Sequence, residues 1–183
     1  MANGRQRDSQ FADGFVNHLK ASGSKIGNTG DQMYRPVVVL EPPMGRVEGD
    51  VAVVISDEKS PEITLVIVER EGSAPGNERN LLKWHAALRQ HKVISFRSNG
   101  IDLEIKWSKM LVLLAFGRSE SWDPTDYQKT VAFCSGLASL LNESAITENL
   151  SAEFRIQSSE EPVNNYVAEG ERHAGHLLSS FAG

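Results

Sequence analysis

With one cysteine in 183 residues, the chain can form no internal disulfide, so packing alone must hold its core. That residue, Cys134, fits a reducing compartment. No apolar run approaches the roughly 18 residues needed to span a bilayer. The opening MANGRQRDSQ has no apolar stretch of the kind a secretory leader needs, and a cytoplasmic protein is the expectation. Phosphate-cradling glycine motifs are also missing: neither G-x-G-x-x-G nor a P-loop occurs. Ser135 and the Ser22-Gly23-Ser24 run lack the G-x-S-x-G setting of a nucleophile elbow. His18, His85, His91, His173 and His176 show no zinc spacing, and a lone thiol cannot complete a thiolate site. His85 reads as a packed core histidine, and His173 and His176 as part of a polar, unstructured tail.

Charge is present in ordinary amount but unevenly placed. The net charge is −5, which disfavours a generic nucleic-acid coat protein. Residues 79–109 nevertheless carry Arg79, Lys83, Arg89, Lys92, Arg97, Lys106 and Lys109 against only Asp102 and Glu104. That excess permits phosphate contacts; a solvated face with no ligand is the plainer account. Residues 143–183 reverse the balance, with seven glutamates against Arg155 and Arg172.

Period and punctuation give an order of elements. Phe11 to Ala21 reads as a short helix with Phe11, Phe15, Val16 and Leu19 on one face. RPVVVLEPP is a strand closed by prolines, and DVAVVIS and ITLVIVERE are two more, joined by the polar DEKSPE. A helix follows, with Leu81, Trp84, His85 and Leu88 at helical spacing. VISFRS and IDLEIKW flank Asn99-Gly100, a strong hairpin signal, and KMLVLLAFG is a further strand. Asp123-Pro124 opens a helix as N-cap and first helical residue; it runs to about Asn142 with Val131, Cys134, Ala138 and Leu141 on one face. LSAEFRIQ is a last strand. The expectation is one α/β domain over 1–157, a single central sheet with helices on both faces. An acidic tail follows over 158–183, with a possible short helix from His176 to Phe181.

The strand ITLVIVERE poses the chemical question, because five largely apolar residues end in Glu69, Arg70 and Glu71. Alternate residues share a face, so the two glutamates point one way and Arg70 the other. If this strand and the one opened by Asp50 form a hairpin, Asp50 lies beside the two glutamates. Three carboxylates held close raise one another's pKa unless a cation sits among them. Such oxygen donors suit Mg²⁺ or Mn²⁺, and an ion so held polarises a phosphoryl oxygen or activates water. The bland account makes Asp50 a turn cap and the glutamates solvated acids at a sheet edge.

GRVEGDVAVVI, ITLVIVEREGS and GNERNLLKWHAALR together resemble the core of the PD-(D/E)XK nuclease superfamily, over about residues 11–142. There an aspartate opens one strand, an acid-x-Lys triplet ends the next, and a helix follows. The resemblance implies a restriction-endonuclease-like fold with a central mixed sheet flanked by helices. It implies metal-dependent hydrolysis of DNA or RNA, with Asp50 and Glu69 as ligands of Mg²⁺ (or Mn²⁺) and Arg46 as the basic residue ahead of the aspartate. It also implies pairing into a homodimer as an option. The chain departs from the pattern at Glu71, which stands where the family usually has lysine. Some members use Glu-x-Glu, and others supply the lysine from the following helix. Helical phase points Lys83 away from the sheet, which favours Glu71 as the third catalytic group. Arg79, Lys83, Lys106 and Lys109 are the expected nucleic-acid contacts, with Trp107 as an open stacking candidate and Trp84 as core. The alternative is a catalytically silent nuclease-like domain that binds a protein partner.

Overall fold

The computed structural model describes residues 4–22, 33–34, 36–39, 46–56, 63–71, 77–90, 93–98 and 101–181. The chain folds as an α/β protein whose mixed central sheet carries helices on both faces. In chain order the elements are α1 (Gly4–Ala21), β1 (Met33–Tyr34), β2 (Pro36–Val39), β3 (Arg46–Glu48), β4 (Val51–Ser56), β5 (Ile63–Glu71) and α2 (Asn77–Gln90). They continue with β6 (Val93–Ser98), β7 (Ile101–Lys106), β8 (Lys109–Arg118), α3 (Pro124–Thr147), β9 (Ala152–Pro162) and α4 (Tyr166–Phe181).

The central sheet has the order β1-β4-β5-β8-β9. β4 and β5 pair antiparallel, as the short connection between them predicts, whereas β5–β8 and β8–β9 are parallel. The expectation of one sheet needs correction: β2, β3, β6 and β7 form a second, four-stranded sheet in the order β3-β2-β6-β7. The Asn99-Gly100 signal is matched by antiparallel β6 and β7, with Ser98 opposite Ile101; the two turn residues themselves lie outside the described residues.

β5 explains the layering. Leu65, Val66, Ile67 and Val68 are all fully buried, because a strand covered on both faces has no polar side to offer. Leu65 and Ile67 pack into one core with Leu81, Trp84 and Leu88 of α2 and Cys134, Ala138 and Leu141 of α3. Val66 and Val68 pack into the other, with Phe11, Phe15 and Leu19 of α1 and Ala174 and Leu177 of α4. α3 starts as the sequence indicates, with the Asp123 carboxylate accepting from the Thr125 and Asp126 amides ahead of a first-turn proline. It runs five residues beyond Asn142.

The acidic tail is a second correction. β9 continues to Pro162, and α4 is a full helix with Glu169, Gly170, His173, Ala174 and Leu177 buried. It makes the most extensive helix–helix packing in the molecule, against α1. Two glycines allow that approach. A Cβ on Gly14 would fall 2.0 Å from the Val167 carbonyl oxygen, and one on Gly170 would fall 2.1 Å from that of Phe11. His173 is therefore a core residue, its Nδ1 3.0 Å from Gln157 Oε1.

The outer strand β9 is bounded by α3. Asn142 accepts from the Phe154 amide at 2.7 Å and donates to the Phe154 carbonyl at 2.9 Å. The Tyr127 hydroxyl likewise donates to the Ser159 carbonyl at 2.8 Å and accepts from its amide at 3.1 Å. No described helix is long and apolar enough to cross a membrane.

Candidate functional site

The sheet sets the three candidate carboxylates at the same end of β4 and β5. In the β4–β5 ladder Val51 faces Val68, so Asp50 falls beside the end of β5. Its backbone N–H donates to the Val68 carbonyl at 3.1 Å, and its Oδ2 accepts from the Arg70 backbone amide at 2.8 Å. Glu69 and Glu71 emerge on the α2 side of β5, and Arg70 on the α1–α4 side, as alternation requires.

Both glutamates are met by α2. The Trp84 indole N–H donates to Glu69 Oε1, and the Asn80 amide donates to Glu71 Oε1. The fit is one of pitch: two strand residues advance about 6.6 Å, and four helix residues about 6 Å. Residues two apart on β5 can thus meet residues four apart on α2. Trp84 is core, as its helical spacing indicates, with no exposure. Its second role, as the donor that holds Glu69, was missed in the sequence; the i, i+4 spacing of Asn80 and Trp84 opposite Glu-x-Glu is the signal that could have found it.

Glu69 is 5% exposed. Burial pushes its pKa well above the ordinary carboxylate value, and the Asp50 charge pushes the same way; the Trp84 bond pulls against both. Glu71 is raised to about 7, again by burial first, with the Asn80 bond opposing and Asp50 adding to the rise. Both glutamates thus feel the Asp50 charge, and Glu69 feels that of Glu71 as well.

The basic residues divide. Lys83 is exposed on α2, as helical phase indicates, yet its charge reaches Glu69 and favours the ionised form. Arg79 is exposed one turn earlier on the same helix. Lys109 lies elsewhere: it pairs in register with Thr64, seven residues before Glu71. That is about 23 Å away along the strand, and its ammonium sits 3.5 Å from Glu153. Lys106 ends β7 in the second sheet, opposite Val93. Trp107 is half-buried and lines a cleft with Leu88, Asn149 and Leu150, at the same far end as Lys109. Lys109 and Trp107 therefore do not join the carboxylates.

Among the described residues no three His, Cys, Asp or Glu side chains are grouped to hold a metal ion. A closed three-residue chelate is therefore not formed. The donor chemistry does fit an ion that keeps most of its waters and takes one or two carboxylates, as Mg²⁺ commonly does. Asp50 and Glu69 are near enough for one charge to raise the other's proton affinity, and a divalent cation would relieve that conflict.

On the other face of β5, Arg70 is tied down. Its Nε donates to Glu169 Oε2 at 2.9 Å, one guanidinium nitrogen lies 3.7 Å from Asp8, and the group stacks 4.7 Å from the Tyr166 ring centre. No protein-family model, curated protein or solved structure matches this chain.

Proposed function

We propose that the chain is a divalent-cation-dependent phosphodiesterase acting on nucleic acid, with DNA as first candidate and RNA as second. The observation that supports this is the gathering of Asp50, Glu69 and Glu71 at one end of the central sheet, where burial and mutual repulsion hold both glutamates' pKa values high. Asp50 and Glu69 would hold Mg²⁺ or Mn²⁺. Such an ion, when bound, polarises a phosphoryl oxygen and acidifies coordinated water.

The chain's own groups supply the rest. Glu71, with a pKa of about 7, has the proton affinity of a general base working near neutrality, and Asn80 fixes its orientation. Glu71 takes the place the superfamily usually gives to lysine, so the nuclease resemblance and the Glu-x-Glu site belong to one reading. Arg79 and Lys83, exposed beside the acids, would contact backbone phosphates, and that contribution falls with salt.

A second reading has support in the same side chains. Glu69 and Glu71 already accept hydrogen bonds from Trp84 and Asn80, which is how a silent, partner-binding relative would employ them. Manganese titration by calorimetry, run with plasmid and RNA cleavage assays on wild type, Asp50→Asn and Asp50→Ala, separates the two. A hydrolase loses binding and cleavage in both variants, while Lys109→Gln, at the far end of the sheet, changes cleavage less than about threefold. Absence of manganese binding by the wild type would leave only the silent reading.

A further inference from the structure

We propose that the C-terminal helix sets the geometry of the carboxylate site: Glu169 and Tyr166 hold the Arg70 side chain, and through its backbone they position Asp50, Glu69 and Glu71. The inference rests on the cation-dependent reading of that site and assigns α4 a part in it.

Arg70 sits between the two glutamates, so any rotation of its backbone swings both. Its own amide donates to Asp50 Oδ2 at 2.8 Å. One residue thus touches all three acids through the main chain, while its side chain leaves the opposite face of the sheet into the α1–α4 layer.

That layer holds it from three directions. Glu169 is 1% exposed and directs Oε2 at the guanidinium Nε. Asp8 of α1 lies beyond one terminal nitrogen, and the Tyr166 ring lies under the guanidinium plane. The placement of Glu169 is narrowly fixed. A Cβ on Gly117 of β8 would fall 1.9 Å from Glu169 Oε1, and the neighbouring Gly170 is pressed against Phe11. A side chain so closely confined transmits its position instead of absorbing a shift. Groups that orient a ligating residue typically change metal affinity by about 10- to 100-fold when removed.

A structural contribution and a positioning one can be separated. Arg70→Met combined with Glu169→Leu replaces the buried ion pair with apolar residues of similar volume, a change that commonly preserves or raises stability. The expected result is a variant with a wild-type urea midpoint whose manganese affinity, by calorimetry, is weakened about tenfold or more. Wild-type affinity in that variant would overturn the inference. Should the pair variant fail to fold, Tyr166→Leu decides: it removes the ring beneath the guanidinium and strands no charge. About threefold weaker manganese binding supports positioning, and unchanged binding overturns it. A wild-type protein that binds no manganese would remove the hydrolase reading and this inference with it, an outcome distinct from a loss confined to the variants.

Discussion

The two faces of β5 meet their buried charges with different partners. On the α1–α4 side Arg70 is met by two carboxylates and an aromatic ring, so a buried charge faces opposite charge, although burial still raises the Glu169 pKa against the pull of Arg70. On the α2 side two glutamates are met by a neutral indole and a neutral amide, and burial outweighs both bonds. A balanced ion pair is what a fold needs to carry a charge inside. All three buried acids keep raised pKa values despite their hydrogen bonds; what differs is that Glu169 faces a positive charge whereas Glu69 and Glu71 are held by neutral donors. The contrast lies within three consecutive residues of one strand.

The largest test falls on the balanced face. Arg70→Ala leaves Glu169 buried without its partner, and a loss of about 3–5 kcal/mol in unfolding free energy is expected, read from urea denaturation. A loss below about 1 kcal/mol would show that the two faces do not differ as described. On the other face, Trp84→Phe keeps most of the ring but removes the donor to Glu69. It should cost about 1–3 kcal/mol in the same measurement, the smaller effect reflecting a neutral partner.

A pH series sharpens the comparison further. Glu71 has a folded pKa of about 7, above its ordinary 4.5, so the folded state binds more protons across that interval. Its contribution is complete below about pH 4.5 and is lost as pH rises through 7. His173 works with the opposite sign. Its pKa is lowered from 6.5 to about 4 by burial and by the charges of His176 and Arg172, so it contributes fully above 6.5 and loses that contribution as the pH falls. Between about pH 6.5 and 8 the change from Glu71 outweighs what remains of that from His173. In the absence of divalent ions the urea midpoint should fall across this window, and Glu71→Gln should flatten the slope. A midpoint that rises with pH in the wild type would contradict the account.

Much of this was legible in the sequence because it is local. The β4–β5 hairpin, the apolar run of β5, the cap of α3 and the alternation that separates Glu69 and Glu71 from Arg70 all follow from short-range period and turn chemistry. What escaped depends on partners distant in the chain. The split into two sheets is a choice among pairings that each strand's own residues do not determine. α4 was obscured by Glu169, Glu171 and their neighbours, whose charge reads as a solvated tail. Its docking depends on two glycines, Gly14 and Gly170, more than 150 residues apart, and Glu169 makes sense as an interior acid only once Arg70 is seen to project from β5 onto the same face. Lys109 shows the converse error, since a charge excess counted along the chain places together groups that the strand direction sets at opposite ends.

Asn142 has one more consequence. By presenting an amide to both main-chain groups of Phe154, it imitates the next strand and ends the sheet there. A second copy cannot extend β9 at Phe154 by main-chain pairing without first prising that side chain away, so this edge of the sheet is guarded by a side chain against strand addition.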